Sequence, residues 1–398
     1  MTNDIADAAD RPTWRLRVYP VALLVALGAA LLFATITYDR DHPTSRLGGD
    51  YPAFYAGGSI ARQGDWDELY SAERQAVEQA GLIDDDGSYL YFSYPPFVAG
   101  AYAGFAGIEY RWSFLLHTIL MGLALAAGIK ILDPWLGGFG WPAVALFALA
   151  VAFYPVLRAM PGGQNTTLSL LLLAVAARLD RDEMPFLAGL ALAALLFKPQ
   201  FGVVIVPLLV VGQRWRVLAG WGAGAAILWM TSFVLIGGTW LADWWEQAGA
   251  FRDENVAANG RNFVSLPGFL ENVLGTGAPA ALVAGYGLAA LFGAAIAYYW
   301  WKHPRCHALE RYGLAGAAVV LAAPQTLYYD AGILLLGLVV AVGLLRRSLP
   351  IVLGGLVAVS WVHVMADDLG WSPLGPIIWA GVAWLCWELL VAPDGEPT

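Results

Sequence analysis

The chain has 398 residues, 59% of them hydrophobic and 13% charged, with a formal net charge of −9. Soluble domains carry about 25% charged residues, so a soluble globular domain is excluded, and the continuous Leu- and Ala-rich runs lack the alternation of an outer-membrane barrel. An acidic chain with no basic cluster interleaved with aromatics also excludes a nucleic-acid partner.

Apolar runs fall at 18–38, 94–108, 112–132, 141–157, 165–179, 185–197, 201–212, 216–237, 278–301, 312–323, 327–345, 349–366 and 373–391. A perpendicular helix needs about 20 residues to cross a bilayer, so the shorter runs are either re-entrant or halves of kinked spans. The first run is too long for a signal-peptide core and reads as a transmembrane helix. Placing Arg11, Arg15, Arg17, Arg214, Arg216, Lys302, Arg305, Arg311, Arg346 and Arg347 in the cytoplasm puts the N-terminus inside. Segments 39–92, 238–277, 324–326 and 367–372 then lie outside, and the chain makes about twelve crossings. Between residue 93 and Arg214 the charges admit two solutions. Either 185–212 is one span broken at Lys198-Pro199, or 185–197 and 201–212 form a hairpin whose tip faces out and one earlier run does not cross. The second is preferred because it brings Gln164, Lys198 and the first external insert together. The expectation is an all-α polytopic membrane protein, a single integral membrane domain over 1–398 with external inserts 39–92 and 238–277. Eighteen Trp and seventeen Tyr suit its interfaces.

In the first insert, Asp50 follows Gly48-Gly49 and precedes Tyr51-Pro52. The glycines permit a tight turn and Pro52 holds Tyr51 extended, so the carboxylate can be set against the membrane surface as a general base. The alternative is an Asx-turn that satisfies nearby N–H groups. Residues 71–80 read as an amphipathic helix with Ser71 as N-cap and Arg74 on its polar face. In "YFSYPPF", Tyr94 heads the second run, and the prolines suit a helix's first turn.

The stretch "RAMPGGQNTTLSL" sets Arg158 before a Gly162-Gly163 break, and Gln164 and Asn165 then open the next helix, where free N–H groups suit phosphate or sugar oxygens. Asn165 serves equally as an N-cap. In "FKPQF", Lys198 sits between apolar runs, at a cost of about 2.5–3.5 kcal/mol at a helix centre. It must be paired, snorkel to an interface, or bind phosphate. Asp330, in "AAPQTLYYDAGILLL", is a partner for Lys198 or a contact for sugar hydroxyls. Arg252, Arg261 and Asn262 in the second insert are further phosphate contacts or solvated loop charges. His303, Cys306 and His307 lie among Lys302, Arg305 and Arg311, which reads as a basic loop rather than a metal site, so no metal or other cofactor is expected.

The stretches "GGDYPAFYAGGSIARQGDWDELY", "YFSYPPF", "GGQNTTLSLLLLA", "AGLALAALLFKPQFGVVIVPLLV" with "QRWR", and "LAAPQTLYYDAGILLL" resemble, in order and spacing, the polyprenyl-phosphate-dependent glycosyltransferases of family 87, of the GT-C class. The resemblance implies a GT-C fold with a large first external loop. It also implies a polyprenyl-phosphate-linked hexose donor, mannose among the possibilities, and a lipid or glycan acceptor. Transfer would proceed with inversion at the outer face of a bacterial inner membrane, with Asp50 as base. Gln164, Lys198 and Asp330 would lie in or near the donor cavity. Relatives often carry histidine where this chain has Gln325, which can hydrogen-bond but cannot exchange a proton in its place. The competing readings are a glycolipid transporter or flippase using Lys198 and Asp330 as gating charges, and a scaffold for envelope assembly.

Overall fold

The protein is described by a computed structural model over residues 15–37, 47–82, 89–136, 142–275, 278–304, 307–345 and 349–391. Asp39, Asp41, the Asp84–Asp86 run, Arg11, Arg305, Cys306, Arg346 and Arg347 lie outside the described residues. The described residues are helical throughout, apart from turns, loops and one isolated bridge between Phe263 and Leu327.

Helix α1 (Arg15–Thr37) is followed by α2 (Tyr51–Gln63), α3 (Ala72–Gln79) and α4 (Pro96–Tyr102). Ser71 caps α3 as expected, its hydroxyl accepting the Arg74 N–H. The run 94–108 is not a span. Its only α-helix, α4, has 7 residues, about 10 Å, and a 3₁₀ turn at Phe105–Gly107 follows. After α5 (Tyr110–Ile131) and α6 (Asp133–Leu136), the run 141–157 is split into α7 (Ala143–Ala152) and α8 (Tyr154–Ala159). The break falls at Phe153, which turns extended as the N-cap of α8, with Pro155 in that helix's first turn.

Helices α9 (Thr166–Arg181), α10 (Pro185–Ala193), α11 (Pro199–Val211) and α12 (Trp215–Ile236) come next. A 3₁₀ turn at Ala194–Phe197 leads into Lys198, which is the N-cap position of α11. Helices α10 and α12 pack backbone to backbone: a Cβ on Gly189 would strike the Val217 carbonyl, and one on Gly220 the Phe186 carbonyl. Gly220 and Gly224 are four apart, the small-residue spacing that lets membrane helices approach closely.

The chain continues through α13 (Trp240–Asn259), α14 (Leu266–Leu274), α15 (Pro279–Lys302) and α16 (Ala308–Ala322). A 3₁₀ stretch at Tyr328–Leu334 leads into α17 (Leu335–Leu345), followed by α18 (Leu349–Ser360), α19 (Ala366–Leu369) and α20 (Leu374–Val391).

Among the described residues, five segments are long and apolar enough to cross a membrane: Val18–Thr37, Tyr110–Ile131, Trp215–Ile236, Pro279–Lys302 and Leu374–Val391. Their outward faces carry bare apolar side chains such as Phe33, Val234, Val283 and Leu291. So large an apolar exposure belongs in lipid, and the chain is an all-α membrane protein.

The two ends of the bundle differ in chemistry. At one end the Asp180 carboxylate, closing α9, accepts from Arg214 before α12 and, at 2.5 Å, from Arg311 on α16. At the other end lie Asp50, Gln164, Lys198 and Asp330. Helix α9 thus runs from Gln164 to Asp180, α10 returns to Lys198, and α11 leads back to Arg214. This is the hairpin arrangement, with Lys198 at its tip.

Candidate active site

Two glycine pairs build the centre of the site. Gly48 and Gly49 take φ of 90° and 54°, and Gly163 takes 68°, values that only glycine adopts freely. The turns they form press together: a Cβ on Gly163 would lie 2.5 Å from the Gly48 carbonyl oxygen, and one on Gly49 would lie 2.9 Å from the Gly162 Cα. Across this contact the Asp50 N–H donates to the Gly162 carbonyl at 3.1 Å, and Gln164 Nε2 donates to Asp50 Oδ2 at 2.5 Å. The Tyr110 hydroxyl ties the first turn from behind, donating to the Leu47 carbonyl at 2.6 Å. Asp50 occupies the N-cap position of α2, yet its side chain makes no capping bond. Gln164 is 2% exposed, and its Oε1 is buried with no hydrogen-bond partner among the described residues.

The second half of the site is an ion pair. Lys198 Nζ lies 2.5 Å from Asp330 Oδ1, with the two side chains 7% and 9% exposed. The sequence left Lys198 three outcomes, and pairing is the one found; Asp330 is its partner. Tyr329 joins the two halves. Its ring lies 5.7 Å from the Lys198 ammonium, and its hydroxyl points to Asp50 Oδ2 at 3.5 Å. Tyr94 packs on Phe54 with ring centroids 4.6 Å apart. Burial, reinforced by the Asp50 and Asp330 carboxylates, pushes its phenol well above the ordinary tyrosine range, so it stays protonated as a donor.

These residues line one cavity of about 1210 Å³. Asp50, Tyr94, Arg158, Gln164, Lys198 and Asp330 form its polar chamber, and Arg252 and Gln325 also face it. From there the cavity continues as an apolar lane between α11, presenting Val203, Pro207 and Val211, and α15, presenting Ala290, Gly293 and Ala297. Ala318 and Ala322 of α16 form its floor. Val203 is 75% exposed, so the lane opens sideways, toward lipid.

The remaining cations separate clearly. Arg252 is paired with Glu271 at 2.7 Å. Arg261 is bonded to Asp367 and does not line the cavity. Arg158 meets only the Tyr328 hydroxyl, at 3.5 Å, and no carboxylate among the described residues. Among the described residues, Arg158 is the one cavity cation without a carboxylate partner.

Asn165 stands at the N-cap position of α9 without making a capping bond. Its Oδ1 instead accepts from the Tyr102 hydroxyl at 3.0 Å and pairs with His117 Nε2 at 3.1 Å. This network braces Gln164 from behind, and Asn165 does not line the cavity. Tyr329, His117 and the cavity-facing Asn255 and Asn259 were not singled out by sequence. His117 carried a signal, being a polar residue inside a strongly apolar run; the asparagines of α13 carried none.

The fold and site define an all-helical membrane protein with a polar, lipid-accessible chamber. The model of glycosyltransferase family 87 matches residues 92–324, more than half of the chain, and the protein belongs to that family. It is therefore a glycosyltransferase, which implies a sugar donor and an acceptor. The matched region holds Tyr94, Arg158, Gln164, Lys198 and Arg252, whereas Asp50 and Asp330 lie outside it. No curated protein and no solved structure matches the chain.

Proposed function

We propose that the protein transfers a hexose from a polyprenyl-phosphate donor to a lipid or glycan acceptor, with inversion, at the outer face of a bacterial inner membrane. The observation that carries this reading is the union, in one cavity, of the Asp50 chamber with the apolar lane between α11, α15 and α16. A sugar nucleotide has no use for such a lane. A sugar phosphate on a long branched hydrocarbon has, and the small residues of α15 and α16 leave room for branching methyl groups.

The Asp50 carboxylate takes the proton of an acceptor hydroxyl as the oxygen attacks the anomeric carbon. The new C–O bond forms as the bond from the anomeric carbon to the phosphate oxygen breaks, and the electron pair leaves with the lipid phosphate. Attack opposite the leaving group inverts the centre. Lys198 stands where the lane meets the chamber, and its ammonium has two further protons to offer once Asp330 is served. These meet the charge that grows on the leaving phosphate, where stabilisation counts most. Gln164 holds the Asp50 carboxylate through Nε2 and offers its unpartnered Oε1 to a substrate hydroxyl. Tyr94 donates to a sugar oxygen, and Arg158 supplies the free positive charge of the chamber.

Helix lengths fit a chamber sunk into the membrane. Helix α11 has 13 residues, about 20 Å against the roughly 30 Å of a hydrocarbon core. With Asp180, Arg214 and Arg311 at the cytoplasmic surface, the Lys198 tip ends about 10 Å short of the outer one. The helix directions support a reading of twelve crossings with the N-terminus inside, with α7 plus α8 and the Tyr328–Leu345 segment each counted once and α2, α3 and α4 outside the bilayer core.

The test is a transfer assay in proteoliposomes, with a panel of polyprenyl-phosphate hexoses and lipid extract from the source cells. Wild type is expected to form a glycosylated product from one donor and Asp50→Asn to form none. Movement of donor across the bilayer without any product would favour a flippase and overturn this reading.

A further inference from the structure

Helix α13 carries a row of groups that the chemistry above leaves unused. Arg252, Asn255 and Asn259 recur at spacings of three and four residues, so they stand along one face of the helix. Asn262 extends the row, and all four line the cavity. The carboxamides are fixed by a relay: Asn259 Nδ2 donates to Asn255 Oδ1 at 2.8 Å, Asn255 Nδ2 to Gln325 Oε1 at 3.2 Å, and Gln325 Nε2 to the Arg252 carbonyl at 2.7 Å.

A carboxamide has two donor hydrogens and two acceptor lone pairs. The relay uses one donor on each of the three amides and one lone pair on two of them, which orients them and leaves the rest of their capacity unused. Gln325 is held at φ 56°, a left-handed conformation that non-glycine residues adopt only under constraint. The surroundings thus fix this amide where its own backbone preference would not.

Aromatic rings adjoin the row. Phe251 and Tyr91 lie with centroids 6.1 Å apart, and the Trp244 indole N–H is tied to the Ser93 carbonyl at 3.0 Å. Fixed amides beside fixed aromatic faces suit a hydroxylated ring, whose hydroxyls take the amides and whose C–H faces take the rings.

We propose that this face of α13, together with Gln325, is the acceptor subsite, and that the acceptor presents a sugar or polyol ring there; the assignment rests on the transferase reading above. A donor hexose shares the hydroxyl chemistry, but it is bonded directly to the phosphate at the lane's mouth. From Arg252 to Asn259 the row extends about 10 Å, longer than a single hexose ring covers. It also belongs to the outer insert and not to the lipid-facing lane.

The experiment uses full-length wild type and the Asn259→Ala/Asn262→Ala double variant, at an exposed and a half-buried position, in proteoliposomes. Two rates are measured with the donor panel: cleavage of donor by water with no acceptor present, and transfer to graded amounts of the source-cell lipid extract. The double variant is expected to keep the cleavage rate and the donor KM, while the extract needed for half-maximal transfer rises about tenfold, the effect of losing two modest hydrogen bonds. A rise in donor KM with a fall in cleavage would move the row to the donor sugar and overturn the assignment. So would wild-type behaviour in both rates. If the wild type neither cleaves nor transfers any donor, the transferase reading itself falls and the inference falls with it.

Discussion

Replacing Lys198 by methionine removes the only cation within bonding reach of Asp330 among the described residues. The pair is tight, at 2.5 Å, and both side chains are at least nine-tenths buried. Removing one partner leaves a largely buried carboxylate without its counter-charge, and such half-broken pairs cost about 3–5 kcal/mol. The tip between α10 and α11 would also lose its tie to the Tyr328–Leu334 stretch. Removing both charges is different, because an apolar pair of similar volume is often neutral or better.

Lys198→Met should therefore melt well below wild type, and Lys198→Met/Asp330→Leu should recover most of that loss. Thermal unfolding in detergent, followed by tryptophan fluorescence and by monodispersity on size exclusion, reads both. Activity separates structure from chemistry: the double variant, though stable, should still transfer slowly, since nothing then meets the leaving phosphate from α11. A Lys198→Met protein as stable as wild type would show that the ion pair is not formed in the folded protein. A double variant with full activity would make Lys198 purely structural.

Three further outcomes follow from the site. Gly163→Ala puts a Cβ 2.5 Å from the Gly48 carbonyl oxygen at φ 68°, at a backbone cost of about 1–2 kcal/mol. Because it separates Asp50 from Gln164, transfer should fall by about 10²-fold, the effect of a misplacement of about 1 Å, and more steeply than the melting temperature does; parallel losses would contradict the interlocked turns. Arg158→Gln should lower kcat/KM by about 10- to 100-fold, in line with the loss of a charge-assisted hydrogen bond, while Arg158→Lys retains part of it. Equal rates for all three proteins would remove Arg158 from the site. A side chain added at Gly293 meets open space within 4 Å, so Gly293→Leu should fold normally and obstruct the lane. It should raise the KM for a long-chain donor and spare a short-chain one, and an effect independent of chain length would refute the lane's role.

The sequence carried much of this account, though unevenly. Long apolar runs announced α1, α5, α12, α15 and α20, because helices in lipid must satisfy their own backbone and show it as unbroken hydropathy. The run 94–108 has similar hydropathy without spanning, in keeping with the preferred reading in which one earlier run does not cross. Its Val98, Ala99 and Tyr102 are buried against other helices, and hydropathy does not distinguish lipid from protein neighbours. The glycine pairs flanking Asp50 and Gln164 were visible as turn signals, but their backbone contact joins residues more than a hundred positions apart. Lys198 and Asp330 stood out as charges in apolar runs, with pairing to each other one of the open readings, and the fold selects that pairing. The amides of α13 left no trace, since in a polar insert a cavity-facing asparagine resembles a solvated one.

The central claim is that Asp50 is the base at which a lipid-borne sugar meets its acceptor. Its most direct test compares Asp50→Asn with wild type in proteoliposomes, measuring transfer and donor affinity on the same preparations. Asparagine keeps the size and hydrogen-bonding capacity of the side chain but takes no proton at neutral pH. The account predicts a monodisperse variant that binds donor with wild-type affinity and forms no product. Product at near wild-type rate from the variant would contradict it.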